Sequence, residues 1–155
     1  MTSLCCKVLN TLEGKTLVTA ESITGGGIGA ALTAIPGSSS VYKGGVISYC
    51  DWVKENVLKV PSEILQTYGA VSWQTAGYMA GGVRKILKAD YAVSVTGLAG
   101  PGGDSYGNPV GTVYIGVDGP NGGSVEKFVF TGERESVRQQ TVRAALEMIL
   151  KEATR

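Results

Sequence analysis

Apolar positions along the chain follow two periods, one of a helix and one of a strand. Leu4, Val8 and Leu12 recur at helical spacing, which predicts a short helix over residues 2–13. The β-branched run at residues 16–22, "TLVTAES", predicts a strand. Three glycines and an alanine-rich stretch follow it, predicting a sharp turn into a helix over about 25–34 with Thr24 as its cap. "VYKGGVISYC" predicts a second strand and "WVKENVLKV" a short helical segment. Ala76, Met79, Ala80, Val83 and Leu87 share one face of a longer helix over residues 72–88. "DYAVSVTG" is short, apolar and bounded by turn residues, as a buried strand is. In "GTVYIGVDG", Val113, Ile115 and Val117 alternate with Thr112, Tyr114 and Gly116 at the strand period. "SVEKFVFTG" follows across a hairpin-like connection at 119–123. Val137, Thr141, Val142, Ala145, Leu146 and Ile149 then line one face of a long C-terminal helix.

Helices alternate with strands early and a hairpin comes late. The expected architecture is a mostly parallel sheet, covered by helices on both sides, with one antiparallel strand. No internal repeat or long linker divides the chain, so residues 1–155 read as a single domain. Its length allows burial of roughly 70% of the surface an unfolded chain would expose.

Composition narrows the chemistry. Fourteen basic residues against thirteen acidic ones offer no electrostatic case for a nucleic-acid or membrane-surface partner. No apolar run reaches the ~20 residues of a membrane span and no signal pattern opens the chain, so a cytoplasmic location is expected. Cys5, Cys6 and Cys50 have no metal-ligand spacing, and neither a metal nor another cofactor is expected. The chain has no histidine, which excludes Ser-His-Asp and Cys-His catalysis. A hydrolase built on a protein nucleophile would need Lys, Asp, Glu or Tyr as its base.

Three stretches could carry such chemistry. "TGLAGPGGDSYGNPVGT", residues 96–112, follows a central strand and holds six glycines, which permit close backbone approach to an anion. It reads equally as a surface loop. It has no Gly-Lys-Ser/Thr, and "GGGIGA" lacks the dinucleotide spacing, so neither an ATPase nor a dehydrogenase is indicated. Arg134 and Arg138 stand near the start of the last helix, where either a solvated face or a phosphate clamp accounts for them. "PGSSSVYKGGVISYCDWVKENV", residues 36–57, contains Ser39, Tyr49 and Lys54, which could converge if the fold allows it. A lysine deprotonates serine near neutral pH only if its pKa falls about three units, roughly 4 kcal/mol of differential stabilisation.

"AESITGG", "PGSSSVYKGGVISYCDWVK", "YGAVS", "VSVTGLAGPGGDSYGNPVGTVYIG" and "TGERESVRQQTV" occur in one order with short spacings. Together they resemble the C-terminal domain of the competence/damage-inducible protein CinA, the stand-alone nicotinamide mononucleotide deamidase family, over residues 5–150. The resemblance implies a three-layer α/β/α sandwich with a mixed five-stranded sheet. It also implies hydrolysis of the carboxamide of nicotinamide mononucleotide to nicotinic acid mononucleotide and ammonia, and a homodimer or larger assembly. It places the nucleophile on Ser39 after the Pro-Gly turn and the general base on Lys54, with Tyr49 and Ser22 completing the polar site. Substrate binding falls to Thr24, Gly25, Thr96, Gly97, Gly100, Gly102, Gly111, Thr112 and an arginine of the last helix, taken as Arg138. Two departures stand out: Ile23 replaces the family's usual cysteine, and Cys50 stands where a serine is common. A non-catalytic nucleotide-binding module of the same fold and an amidase for another small amide remain the alternatives.

Overall fold

The computed structural model describes all 155 residues. In chain order the elements are α1 (Thr2–Thr11), β1 (Leu17–Glu21), α2 (Gly27–Thr33), a 3-10 turn (Ser38–Ser40), β2 (Tyr42–Ile47), α3 (Asp51–Asn56), α4 (Ser62–Tyr68), α5 (Trp73–Ile86), β3 (Tyr91–Gly97), β4 (Thr112–Gly119), β5 (Gly122–Val129) and α6 (Arg134–Ala153). The five strands form one sheet in the order β2-β1-β3-β4-β5. β1 is parallel to β2 and β3, while β4 is antiparallel to both β3 and β5. β4 alone therefore runs against the other four, as the sequence pattern predicts. Helices α1, α2 and α6 cover one face of the sheet and α4 and α5 the other, which makes the three-layer sandwich.

The strand period sorts side chains between the layers. Val18 and Ala20 of β1 pack with Leu58, Leu65, Met79 and Val83 on the α5 side. Leu17 of β1 and Val113, Ile115 and Val117 of β4 join the larger core under α1, α2 and α6. At Gly116 α5 comes close to the sheet, since a Cβ there would sit 2.8 Å from the Ala76 carbonyl oxygen. No helix is long and apolar enough to cross a membrane.

Two expectations need correcting. Residues 62–68 form a helix, α4, that no periodicity announced. Thr24 does not cap α2, whose N-cap is Gly26 in the left-handed conformation. The cap is the carboxylate of Glu21, 2% exposed, at the end of β1. Its Oε1 accepts from the Ile28 N–H at 2.7 Å and the Thr24 hydroxyl at 2.7 Å. Its Oε2 accepts from the Gly29 N–H and the Thr19 hydroxyl, both at 3.0 Å. Four donors thus satisfy a buried carboxylate, and the negative charge sits at the positive end of a helix. Truncation would strand those donors, each unsatisfied buried group costing about 1–3 kcal/mol. Glu21→Ala should therefore lose more than about 3 kcal/mol in urea unfolding, with Glu21→Gln losing less, because the amide oxygen still accepts.

Candidate active site

The centre of the sheet carries a switch in direction. From the C-terminal end of β1 the chain crosses to β2 on one side, and from the C-terminal end of β3 it turns to β4 on the other. Ligand crevices in α/β sheets form at such points. A cavity of about 300 Å³ lies there. It is lined by Ser22 and Ile23 after β1, by Tyr49, Asp51 and Lys54 around α3, and by Ala70 and Val71 before α5. Thr96 and residues 97–100 at the exit of β3, Gly102 and Arg134 complete the wall.

Inside it, Lys54 is 2% exposed and Ser22 is 8% exposed. The Lys54 Nζ lies 2.9 Å from the Ser22 Oγ and donates to the Ser48 carbonyl oxygen at 2.7 Å. Local sequence explains the meeting. Ser48 N–H bonds to the Glu21 carbonyl, which carries the β1–β2 register past the end of the strands. That register sets Ser22 and Ser48 side by side, and α3 then turns the chain back so that Lys54 points inward. Burial lowers the Lys54 pKa, and the nearby Asp51 and Cys50 oppose the shift without cancelling it. A buried amine biased toward its neutral form, in contact with a hydroxyl, can take that hydroxyl's proton.

The pairing of Ser39 with Lys54 is overturned by this geometry. Ser39 lies in the exposed 3-10 turn before β2, its carbonyl held by Lys43 Nζ at 2.7 Å. β2 is parallel to β1, with Tyr42 beside Leu17 and Ile47 beside Glu21. Ser39 therefore sits at the N-terminal edge of the sheet, roughly 16 Å or more from the edge that holds Lys54, given the rise of a five-residue strand. Ser22, assigned only an auxiliary part by the resemblance, is the hydroxyl that Lys54 touches.

The arginines also lie other than expected. Arg134 lines the cavity, donating from Nη1 to the Gly100 carbonyl at 2.7 Å and from Nη2 to the Tyr49 hydroxyl at 2.8 Å. Arg138 lies outside it. Its Nε donates to the Ile23 carbonyl at 3.1 Å, its Nη2 to the Thr24 carbonyl at 3.0 Å and its Nη1 to Glu135 at 2.7 Å. It braces the turn behind Ser22 and faces a separate depression shared with Thr24.

The remaining expected residues divide in the same way. Tyr49, Thr96, Gly97, Gly100 and Gly102 line the cavity, Thr96 donating to the Ala70 carbonyl at 2.8 Å. Gly25 belongs to the turn that Arg138 braces, with φ +58°. Gly111 and Thr112 are structural corrections: Gly111 has φ +92° and packs against the Phe130 backbone, while the buried Thr112 hydroxyl donates to the Pro109 carbonyl at 2.7 Å. Asp51, Ser48 and the 70–71 segment were missed; only "YGAVS", among the stretches that carry the resemblance, signalled the last. The Ser48 hydroxyl is the one buried side-chain oxygen without a hydrogen-bond partner.

Known proteins agree with this architecture. The family model of the CinA C-terminal domain matches residues 2–153. A CinA-like protein of Parasynechococcus marenigrum is 48% identical over 151 residues, which are 95% of this chain and 36% of that protein. A CinA-like protein of Thermosynechococcus vestitus is 47% identical over 138 residues, 87% of this chain and 33% of its own. The chain thus spans about a third of the length of these relatives. Among solved structures, a CinA superfamily protein of Klebsiella pneumoniae superposes with a TM-score of 0.95 at 35% identity, covering 99% of this chain and 97% of that one. The competence/damage-inducible protein CihA of Agrobacterium tumefaciens gives 0.94 at 40% identity, covering 99% and 95%. With its fold, its sheet order and nearly its whole length matched, the chain belongs to the CinA C-terminal domain family.

Proposed function

We propose that this domain is an amidohydrolase converting nicotinamide mononucleotide to nicotinic acid mononucleotide and ammonia, with Ser22 as nucleophile and Lys54 as general base. The observation that carries this reading is the buried Lys54–Ser22 contact at 2.9 Å. The substrate class comes from the family resemblance.

The steps follow from the site. Neutral Lys54 takes the Ser22 proton as Oγ attacks the carboxamide carbon and the C=O π pair moves to oxygen. The N–H groups of Ile23, Thr24, Ala99, Gly100 and Gly102 have no acceptor within the protein, and those that reach the oxyanion stabilise it. When the tetrahedral intermediate collapses, the Lys54 ammonium protonates the departing nitrogen, releasing ammonia and leaving an ester on Ser22. Neutral Lys54 then deprotonates a water that attacks the ester, and it returns a proton to Ser22 Oγ as the acid leaves. Tyr49 and Arg134 stand at the rim, where a guanidinium meets the substrate phosphate in exchange for its bond to the Gly100 carbonyl.

Three outcomes test this. Ser22→Ala should lower ammonia release by about three orders of magnitude or more, while Ser39→Ala stays near wild type. The reverse pattern would return the nucleophile to Ser39.

The pH dependence has a definite sign. Protonated Lys54 cannot act as a base, so kcat/KM rises with pH through the Lys54 pKa of the free protein. Because burial lowers that pKa, the limb should lie below the ordinary lysine value of about 10.4. Lys54→Met should bind the mononucleotide, by calorimetry, yet release no ammonia at any pH. If wild-type protein binds but never releases ammonia, the domain is a binding module.

Arg134→Ala should raise KM for the mononucleotide far more than for nicotinamide riboside, which lacks the phosphate. The loss of a charged contact corresponds to roughly 10–150-fold. Equal losses on both substrates would remove Arg134 from phosphate recognition.

A further inference from the structure

The cavity has two walls that belong to different parts of the chain. One is Ala70 and Val71, between α4 and α5; the other is the segment following β3. That second wall opens a loop over residues 98–111 whose backbone hydrogen bonds lie only at its foot, from Leu98 N–H to Thr112, Gly111 N–H to Leu98 and Thr112 N–H to Pro109. From residue 99 to 108 no backbone group is bonded to another. Side chains alone therefore tie this stretch to its surroundings.

Arg134 holds the Gly100 carbonyl, Tyr106 and Asn108 reach the opposite wall, and Asp104 shapes the loop from within. Asp104 folds it, its Oδ1 accepting the N–H of Tyr106 at 3.1 Å and of Asn108 at 3.0 Å, and its Oδ2 accepting from Asn108 Nδ2 at 2.8 Å. Burial alone would raise the Asp104 pKa, but the Asn108 side chain and these N–H groups outweigh it and hold the carboxyl below its ordinary range. So folded, the loop reaches across to the opposite wall. Asn108 Nδ2 donates to the carbonyl of Val71 at 3.1 Å. The Tyr106 hydroxyl lies 2.8 Å from the Gln66 carbonyl and 3.2 Å from that of Leu65, at the end of α4. The Tyr106 ring seats on Gly69, where φ is +83° and a Cβ would come within 2.7 Å of the ring. A glycine is required there twice over, by the backbone and by the ring.

We infer that Tyr106 and Asn108 are positioning residues for this site, setting the separation of its two walls and so the grip on the bound mononucleotide. The inference rests on the amidase reading for the identity of that ligand. Neither side chain lines the cavity, so neither touches the reacting atoms. The Ser22–Lys54 contact is held by β1, Ser48 and α3, and does not depend on the loop.

The test uses Tyr106→Phe, which keeps the ring on Gly69 and removes only the hydroxyl, and Asn108→Ala. Each should raise KM for nicotinamide mononucleotide roughly two- to twelvefold, the worth of one hydrogen bond, with kcat within about twofold of wild type. In a Ser22→Ala background, calorimetry with the same mononucleotide should show the same weakening. Without ligand, amide hydrogen exchange at residues 106 and 108, the loop N–H groups that Asp104 holds, should quicken in both variants while β3 and β4 keep their protection. Unchanged KM and unchanged exchange in both variants would overturn the inference. So would a fall in kcat at constant KM, or faster exchange across the whole sheet, which would mark a general loss of fold. If the wild type releases no ammonia, the amidase reading fails by itself. The clamp is then decided by exchange at residues 106 and 108 and by calorimetry: faster exchange with weaker binding upholds it, and wild-type values overturn it.

Discussion

A lysine amine buried with two partners is the constraint around which the rest of this domain is arranged. Taking an ammonium out of water is costly: burial lowers the Lys54 pKa, and the fold meets the amine with hydrogen-bond acceptors rather than a carboxylate contact. That choice needs acceptors at fixed places, here the Ser48 carbonyl and the Ser22 oxygen. Both belong to the ends of neighbouring parallel strands, so the sheet register is what positions the Ser22–Lys54 pair. The carboxylate next to it in sequence is occupied elsewhere. Glu21 points to the opposite face of β1, where Thr19, Thr24 and the start of α2 consume its acceptor capacity. Strand alternation thus sends the Glu21 carboxylate and the Ser22 hydroxyl, adjacent in the chain, to opposite faces of the sheet.

Much of the fold was legible because each period is long enough to declare itself. The alternation in β4, the apolar stripe of α5 and the C-terminal helix all lie where the pattern puts them. α4 escaped because "SEILQTY" is seven residues long and offers a single buried leucine, too little for a period to emerge. The Ser39 error has a different origin. A serine that precedes a parallel strand and a lysine that follows it are separated by the length of that strand, whatever their distance in sequence. Ser22, which directly follows the neighbouring strand, satisfies the same requirement. For the arginines the limit is finer. Arg134 and Arg138 share a helix face four residues apart, about 6 Å along the axis, and only the packing of α6 against the turn after β1 decides which one reaches the cavity.

The direction of β4 has a consequence for how this architecture can vary. Because β4 returns antiparallel beside β3, the stretch between them leaves and re-enters the sheet at adjacent positions on the same edge. No helix must be threaded through the connection, so its length can change without altering the topology. Doubling such a connection adds only about 0.6 kcal/mol of closure entropy. The wall of the cavity is in this sense a replaceable cassette, plugged into two neighbouring sockets of a rigid frame. A transplanted cassette would still need its own means of fastening to the α4–α5 corner, since the hydrogen bonds made there run from side chains of the loop to backbone carbonyls of the corner.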